Sequence, residues 1–278
     1  MVRPVVTVVT GRDTSDGAGV RLKRVIGTPA LDHLDPFLLL DEFKSDRAGD
    51  YIAGFPDHPH RGFETVTYML AGSMRHRDDK GNQGDLVAGS VQWMTVGRGI
   101  IHSEMPQQKD GLMWGFQLWV NLPAKDKMIP PRYQDIPPER IPETRAGEGV
   151  RVRVVAGRSD GTRGPVEGVV TQPLYLDVSM APGARFQHPV PAGHTAFAYV
   201  YEGEAEMGAG SRLAAGNLAV LGDGDAVAAA TSASPARFLL LAGRPLREPI
   251  ARYGPFVMNT RAEIMRAVED LQNGTFLD

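Results

Sequence analysis

The stretch Thr67-Tyr68-Met69-Leu70-Ala71-Gly72 has a counterpart, Ala198-Tyr199-Val200-Tyr201-Glu202-Gly203, at an offset of 131 residues. Each copy is a short run rich in β-forming residues that ends in a glycine, as strands that lead into tight turns do. Two weaker matches keep the same order along the chain: Gly84-Asp85-Leu86 with Gly216-Asn217-Leu218 at an offset of 132, and Val96-Gly97-Arg98-Gly99 with Leu221-Gly222-Asp223-Gly224. The repeat predicts two copies of one small β-domain with glycine at its corners.

Alternating or β-rich runs predict strands on both sides of the repeated stretch. They are residues Glu64–Leu70, Met113–Leu122, Val150–Val154 and Leu174–Val178. The 32 Gly and 21 Pro among 278 residues show no three-residue period, so we attribute this excess to turns between short strands. The predicted class is all-β, with a sandwich or barrel architecture.

The end of the chain carries the one clear helix signal. Thr260-Arg261-Ala262-Glu263 has the spacing of a capping box, in which the Thr and Glu side chains bind free backbone N–H groups. Ile264, Val268 and Leu271 form an apolar stripe, and Asn273-Gly274 is a typical helix stop. We predict a short C-terminal helix over roughly residues 261 to 273.

A change of composition marks the boundary between the two copies. Six prolines lie between Asn121 and Gly149: Pro123, Pro130, Pro131, Pro137, Pro138 and Pro142. Such a stretch suits an extended connector without a core of its own. We therefore predict an N-terminal domain of residues 1–125, a connector of residues 126–149, and a C-terminal domain of residues 150–278 that ends in the helix.

Charge and cysteine content exclude several classes of function. The 30 Lys and Arg against 33 Asp and Glu give a formal net charge of −3, so the chain lacks the positive field that neutralises nucleic-acid phosphates. Without cysteine there is no disulfide, thiolate metal site or cysteine nucleophile, and a metal must use nitrogen and oxygen ligands. No apolar run approaches the ~20 residues of a membrane-spanning helix, and a signal-peptide core is absent. We expect a soluble cytoplasmic protein.

Four residues of the first copy have the identity and spacing of metal ligands. His58 and His60 are two residues apart, as are His102 and Glu104, and on a strand such pairs point to one face. Two pairs that face each other inside a barrel would place three imidazoles and one carboxylate around one point. This ligand set suits iron, nickel, copper or manganese better than calcium or magnesium, which prefer oxygen ligands.

The number of ligands constrains the chemistry of such a site. Four protein ligands on a six-coordinate divalent metal leave two open positions, and one carboxylate leaves a charge of about +1. This favours an anionic substrate with oxygen donors, together with dioxygen. Glu104 is also the natural general base for deprotonating that substrate.

The second copy lacks these ligands. At the repeat offset the corresponding positions hold Pro189 and Pro191 for the His-x-His pair, and Val227 and Ala229 nearby for the His-x-Glu pair. His188 and His194 lie close to that loop but are six residues apart, so we interpret them as surface or structural histidines. The sequence therefore predicts one metal ion per chain.

Other candidates carry weaker signals. Glu64 follows His60 by four residues, a spacing at which some barrels of this type place a carboxylate ligand, although we favour Glu104. His76 lies on a predicted solvated strand face and His33 in a polar loop, and neither is assigned as a ligand. Five residues could form an apolar wall for a flat substrate, although residues of this kind are more often core: Phe55, Phe63, Met94, Phe116 and Trp119.

Five stretches of the first half carry long and specific motifs: Phe55–Val66, Gln92–Thr95, Gly97–Ile100, His102–Pro106 and Leu118–Leu122. With further similarity at Asp41–Phe43 and Pro255–Thr260, they resemble the pirin family of the cupin superfamily. The resemblance spans essentially the whole chain, and no departure occurs at the ligand positions.

The resemblance implies two tandem cupin barrels, of the double-stranded β-helix or jelly-roll type, with one mononuclear Fe(II) in the N-terminal barrel. The four ligands of the family correspond to His58, His60, His102 and Glu104, and its second barrel has typically lost its metal. Pirins are associated with quercetin 2,3-dioxygenase activity, in which dioxygen opens a flavonol and carbon monoxide is released. The animal members are associated with nuclear transcriptional co-regulation.

Two functions are compatible with the same ligands. In the first, the protein is a flavonol dioxygenase that uses Fe(II), O2 and a small aromatic enol deprotonated by Glu104. In the second, it is a redox sensor whose metal alters a surface bound by a partner enzyme or transcription factor. Nickel, copper, manganese, zinc or cobalt could replace iron, because affinity order and cellular supply decide which metal is bound. The resemblance also implies a monomer.

Overall fold

The computed structural model describes residues 1–278, and most of the chain is β-strand, which confirms the predicted all-β class. The first strands are β1 (Val5–Thr10), β2 (Arg12–Asp16), β3 (Val20–Ile26), β4 (Phe37–Ser45), β5 (Phe55–His60), β6 (Phe63–Ala71), β7 (Ser73–Asp78), β8 (Gln83–Val87), β9 (Val91–Thr95), β10 (Ile100–Pro106), β11 (Met113–Asn121) and β12 (Arg132–Ile136). The later strands are β13 (Glu143–Arg145), β14 (Val150–Ala156), β15 (Arg158–Ser159), β16 (Thr162–Arg163), β17 (Leu174–Met180), β18 (Arg185–Pro189), β19 (Thr195–Met207), β20 (Ser211–Ala214), β21 (Asn217–Leu221), β22 (Ala226–Ala230), β23 (Ala236–Gly243), β24 (Ala251–Tyr253) and β25 (Phe256–Met258). One helix, α1 (Arg261–Asn273), and three 3₁₀ turns, Ala48–Asp50, Ala124–Asp126 and Pro138–Arg140, complete the chain.

The chain forms two compact units, and each takes segments from separate parts of the sequence. The first barrel comprises residues 13–24, 37–138 and 246–278, and the second barrel comprises residues 1–12, 25–36 and 139–245. Strand β1 therefore belongs with the second barrel and α1 with the first. The consecutive domains expected from the sequence, 1–125 and 150–278, differ from the units at residues 1–12, 25–36 and 246–278, and the expected connector is divided between the two units at residue 138. The exchange depends on pairing between distant strands such as β1 and β21.

Two antiparallel sheets form the first barrel. One has seven strands in the order β12-β9-β6-β11-β4-β3-β2, and the other has four in the order β5-β10-β7-β8. Since successive residues of a strand point to opposite faces, every second residue faces inward. One cluster of this core packs Phe43, Met69, Met74 and Met113 together. The two sheets face each other, with β5 and β10 opposite β6 and β11.

The second barrel is built on a ten-stranded sheet with the main path β1-β21-β19-β23-β17-β14-β13. Strands β18, β20 and β22 pair at its side. A continuous apolar cluster fills its inward-facing positions, in which many alanines pack against larger residues such as Phe186, Val200 and Phe238. The interior of this barrel is therefore a packed core.

Strand pairing corrects one match of the repeat. The Gly89 N–H donates to the carbonyl of Met69, and the Gly216 N–H donates to the carbonyl of Val200. Because Met69 and Val200 correspond at the offset of 131, Gly216 corresponds to Gly89 and not to Gly84. The cause is a hairpin of different length: Arg75 on β7 pairs with Asp85, ten residues later, whereas Glu206, its counterpart at the offset of 131, pairs with Arg212, six residues later.

Helix α1 has the predicted ends. Thr260 accepts a hydrogen bond from the Glu263 N–H and the Glu263 side chain accepts one from the Thr260 N–H, which forms the capping box. Gly274 ends the helix with a φ of 74°, a left-handed conformation that favours glycine. Ile264 is buried as predicted, whereas Leu271 is exposed because the last turn extends beyond the apolar cluster under the helix. No helix of the protein combines the length and the apolar character needed to cross a membrane.

Candidate metal centre

Two adjacent strands bring the predicted ligands together. Strands β5 and β10 pair antiparallel, and their register places His58 directly opposite His102. His60 lies two residues further along β5 and therefore points to the same face. Glu104 follows on β10 after an irregularity in the register. Strand pairing thus explains how residues far apart in sequence meet at one place.

The three histidines form a compact cluster of nitrogen donors. The Nε2 atoms of His58 and His60 lie 2.9 Å apart. One ring nitrogen from each of His58, His60 and His102 lies within 4.8 Å of the other two. Two nitrogens bound at about 2.1 Å to one metal, at a right angle, are about 3 Å apart. The spacing of the cluster therefore fits ligands around a single ion.

Burial favours the neutral form of two of these imidazoles. His60 and His102 are almost fully buried, and loss of hydration lowers the pKa of both well below the usual value, with neighbouring imidazoles adding to the effect. A neutral imidazole has a free lone pair on one ring nitrogen, which is the form in which histidine binds a metal.

The hydrogen bonds of the ring nitrogens also agree with metal binding. Nδ1 of His58 donates to the carbonyl oxygen of Pro56 at 2.8 Å, so Nε2 keeps its lone pair for the cluster. His102 is 1% exposed, and neither of its ring nitrogens has a hydrogen-bond partner. An unpaired buried polar atom costs about 1–3 kcal/mol, which a bound ion would offset. The donors, their spacing and this unpaired ring fit a divalent transition metal.

The cluster opens into a cavity of about 580 Å³ in the first barrel. Leu39, Phe43, Phe55 and Trp119 are among its apolar lining residues. Small-molecule pockets usually have volumes of about 300–1,000 Å³ and mostly apolar walls with a few polar groups. The cavity therefore has room for a small aromatic molecule beside the histidines.

Glu104 lines the same cavity, and its carboxylate is hydrogen-bonded to another side chain of the protein. Its side chain is buried, and its Oε1 accepts a hydrogen bond of 2.9 Å from Oγ1 of Thr67 on β6. The group of mutually close donor atoms comprises the three histidines and not this carboxylate. The structure thus gathers three of the four predicted ligands and places the fourth in the wall beside them.

Two of the predicted wall residues, Phe55 and Trp119, line the cavity. Phe63 instead packs on His60 with the ring centroids 5.2 Å apart, and Trp119 contacts the same imidazole at 5.3 Å. Both contacts are edge-to-face, so the two aromatic rings fix the orientation of His60. The guanidinium of Arg252 covers Trp119 at 4.8 Å from the ring centroid, and no signal in the sequence connects this residue to the site.

The remaining two wall candidates do not line the cavity. Phe116 alternates with Gln117 on β11 and so points to the other face of the sheet, where its ring lies 6.3 Å from that of Tyr68. Met94 is fully buried in a separate core cluster with Ile100. Alternation along β11 and close packing of the core account for these two positions.

Glu64 is separated from the histidines by strand alternation. It lies between Phe63 and Thr65 on β6, and its Oε1 accepts a hydrogen bond of 2.6 Å from Thr95. Burial raises the pKa of Glu64 to about 7, and the Thr95 hydroxyl partly opposes this. Of the two carboxylates weighed from the sequence, Glu104 is the one in the cavity.

Sequence reasoning missed a charged network at the cavity wall. Arg24 donates to both carboxylate oxygens of Asp41, at 2.9 and 2.7 Å, and to Asp16 at 2.7 Å. Burial raises the pKa of Asp41 to about 6, although Arg24 opposes the shift. Gln117 was missed as well, but alternation along β11 from Trp119 would have placed it on the cavity side.

The C-terminal segment fastens the chain just after His60. The buried Arg61 donates from Nη1 to Asp270 at 2.6 Å and from Nη2 to the carbonyl of Phe276 at 2.9 Å. The Val257 N–H donates to the Arg61 carbonyl at 3.0 Å. These contacts tie residues 256–276 to the end of the strand that carries two of the histidines.

Lys127 also binds the residues that follow His60 and the C-terminal segment. Its Nζ donates to the carbonyls of Gly62 and Val257, at 2.7 and 3.0 Å, and to the side-chain oxygen of Asn121 at 2.7 Å. Burial lowers the pKa of this ammonium to about 8. All three of its protons thus have neutral acceptors, which rigidify the support of the histidine cluster.

The second barrel keeps one histidine at a ligand position. Strands β18 and β22 place His188 opposite Val227, as His58 lies opposite His102 in the first barrel. The register therefore matches His58 with His188 and not with Pro189, one residue from the match made on sequence. His188 is buried and stacks near Phe186 rather than lying at the surface. The other ligand positions hold Val190, Val227 and Ala229.

The two unassigned histidines of the sequence lie outside the cluster. His76 is buried rather than solvated, and its ring stacks on that of Tyr133 with the centroids 5.3 Å apart. His33 is exposed, with Nδ1 2.8 Å from a carboxylate oxygen of Asp32. Neither residue contributes to the group of mutually close metal-binding atoms.

Known families and structures match the whole chain. The family model Pirin matches residues 19–120, and Pirin C-terminal cupin domain matches residues 175–277. A pirin-like protein of Caulobacter vibrioides is 51% identical over 276 residues, covering 99% of each chain. The pirin of Homo sapiens is 47% identical over 271 residues, covering 95% of this chain and 91% of the relative. A crystal structure of quercetin 2,3-dioxygenase from Acinetobacter baumannii has a TM-score of 0.91 at 35% identity, covering 99% of both chains.

Proposed function

The chain belongs to the pirin family, and on this premise we propose that it is a mononuclear iron dioxygenase that opens flavonols of the quercetin type. One observation carries the proposal: three clustered histidines, two of them fully buried, lie at a cavity that also contains a carboxylate and an aromatic wall. The similarity to a solved structure named quercetin 2,3-dioxygenase supports the choice of substrate class.

His58, His60 and His102 would hold the iron, with Glu104 as the fourth ligand. Imidazole nitrogens with one carboxylate are a ligand type of non-haem iron oxygenases. When bound, Fe(II) supplies the one-electron chemistry with dioxygen that the side chains of this protein lack. Nickel, copper, manganese, zinc and cobalt bind the same ligand types, and iron is chosen on the family resemblance.

The cavity fits a planar aromatic substrate. Phe55 and Trp119 offer apolar ring surface in its wall, and Gln117 and Glu104 offer polar groups in the same cavity. An aromatic molecule that covers the rings displaces water from the apolar side, which favours binding. The polar groups then orient the oxygen atoms of the molecule.

Glu104 would accept the proton of the flavonol 3-hydroxyl. Its carboxylate lies in the cavity and accepts a hydrogen bond from Thr67, which fixes one oxygen and orients the other. Proton transfer leaves an anionic enolate and a neutral Glu104 carboxyl group, and a divalent metal site would bind the enolate more strongly than the neutral alcohol. Deprotonation also raises the electron density of the ring that dioxygen attacks.

The test is consumption of quercetin and dioxygen by the Fe(II)-loaded protein. We expect many turnovers per chain, seen as loss of flavonol absorbance with release of carbon monoxide. The His102→Ala variant should show neither signal. The His33→Ala variant, which loses an exposed histidine outside the cluster, is the matched control and should keep both.

Two results would contradict the proposal. Iron bound at the expected amount without any loss of flavonol would exclude quercetinase activity and favour the redox sensor, in which the metal changes oxidation state without turnover. Equal consumption by the wild-type and His102→Ala proteins would remove the assignment of the reaction to the histidine cluster.

A further inference from the structure

Thr67 lies between two acceptors in the wall of the metal centre. Its Oγ1 is 2.9 Å from Oε1 of Glu104 and 2.8 Å from Oε1 of Gln117. The other end of the Gln117 amide, Nε2, is 3.0 Å from Oγ1 of Thr65. Thr65 and Thr67 are buried, and Thr67 is directly opposite Gln117 in the pairing of β6 with β11.

The number of available protons decides the direction of the hydrogen bonds among these side chains. A threonine hydroxyl donates one proton, so Thr67 cannot donate to Glu104 and to Gln117 at once. The two ends of a carboxamide have the same shape, so exchanging the oxygen and nitrogen of Gln117 leaves every heavy-atom position unchanged. After the exchange, Thr65 donates to Gln117, Gln117 donates to Thr67, and Thr67 donates to Glu104. Each of the three side chains then donates one hydrogen bond, and all of these bonds run towards Glu104.

We propose that Thr65, Gln117 and Thr67 form a one-directional hydrogen-bond relay that holds Oε1 of Glu104, so that Glu104 offers a single oxygen, Oε2, to the metal. The proposal rests on the proposed function, because it takes Glu104 as a ligand. All three relay residues are neutral, so the relay orients the carboxylate without competing with the metal for its charge. Thr67 and Gln117 are positioning residues.

The neighbouring side chains leave Thr67 as the residue that fixes the carboxylate. Glu104 is 4% exposed, and the hydrogen bond that its Oε1 accepts comes from Thr67. Arg24, the cation of the charged network, is bound to both oxygens of Asp41 and to Asp16. Loss of the Thr67 hydroxyl therefore leaves a buried carboxylate oxygen without its donor, and free to rotate.

Cobalt(II) binding tests the relay without any turnover. The affinity is measured by competition with a chelator, and the visible absorption of the bound ion reports its coordination. Partners that orient a metal ligand contribute about 10–100-fold to metal affinity. We expect Thr67→Val, which keeps the shape but removes the hydroxyl, to weaken Co(II) binding about tenfold and to change the spectrum. Thr67→Ser, which restores a hydroxyl, should bind within about threefold of wild type.

A double-mutant cycle separates positioning from general damage to the fold. In a Glu104→Gln protein, Thr67→Val should cause no further loss of affinity, because the two changes act on one interaction. The matched control is Thr95→Val, which removes another buried hydroxyl that donates to a carboxylate, Glu64, outside the cluster. It should leave Co(II) affinity and spectrum unchanged. Gln117→Met provides a second break in the relay and should resemble Thr67→Val.

The outcomes distinguish this proposal from the metal centre itself. Unchanged affinity in both Thr67→Val and Gln117→Met, with binding lost in His102→Ala, would overturn the relay and leave the centre standing. An equal loss from Thr67→Val with and without Glu104 would also overturn it, since Thr67 would then act through the fold. Undiminished binding by His102→Ala would overturn the centre and the relay together.

Discussion

Glu64 is a buried carboxylic acid whose pKa is raised from 4.5 to about 7 by loss of hydration. Between these two values the folded state binds more protons than the unfolded state. The free energy of unfolding therefore falls as pH rises from 4.5 through 7, and the loss is complete above pH 7. A shift of this size corresponds to about 3 kcal/mol.

We predict that Glu64→Gln stabilises the protein at about pH 8 and has little effect near pH 4.5, because glutamine is neutral at every pH. It also keeps an oxygen to accept the Thr95 hydrogen bond. Urea unfolding from pH 4.5 to 8 measures this as a stability difference that grows with pH. Glu269→Gln, on the exposed side of α1, is the control and should show no such trend. A difference that is independent of pH would contradict the raised pKa.

At the scale of elements, the C-terminal segment is part of the first barrel. Arg61 is the buried centre of this attachment, since it binds Asp270 and the carbonyl of Phe276 and its guanidinium lies 4.3 Å from the Phe276 ring centroid. Breaking a buried ion pair on one side leaves the partner groups without compensation. The attachment is therefore expected to contribute strongly to the stability of the first barrel.

Arg61→Met should lower the free energy of unfolding by about 3 kcal/mol, because the hydrogen bonds to Asp270 and to the Phe276 carbonyl are lost. Arg266→Met, which makes the same change at an exposed position of α1, should cost less than about 0.5 kcal/mol. Thermal unfolding of the two variants measures the difference. Equal stability would show that the C-terminal segment is held by its apolar cluster alone.

Elements with local signals could be predicted from the sequence. The bounds of α1 follow from the capping box at Thr260 and the stop at Gly274, which act within one turn of the chain. The strand predicted at Leu174–Val178 also forms, two residues longer than predicted, as β17. Signals of this kind depend only on residues close in sequence, so they can be recognised without knowledge of the fold.

The register between elements was harder to predict. The match of Gly216 with Gly84 failed because the hairpins of the two copies differ in length, which sequence spacing alone does not reveal. The match of His58 with Pro189 is one residue off for a different reason: eleven residues separate His58 from Met69, but twelve separate His188 from Val200. Arg252 entered the site from a remote segment through packing on Trp119, for which no local pattern exists.

At the scale of the whole molecule, one repeat has produced two barrels with different interiors. The first barrel contains the three histidines and a cavity of about 580 Å³. The second barrel contains a packed apolar cluster, and His188 alone remains at its ligand positions. Because one imidazole does not hold a metal ion without further ligands, the molecule should bind one ion per chain.

The most direct measurement of this centre is the metal content of three proteins loaded with Fe(II) without oxygen: wild type, His102→Ala and His188→Ala. The last two lose one buried histidine each, from the first and the second barrel. We predict about one iron per chain in wild type and His188→Ala, and less than about a tenth of that in His102→Ala, with unchanged circular dichroism. Full occupancy in His102→Ala, or loss of iron in His188→Ala, would contradict a single metal centre built by the histidines of the first barrel.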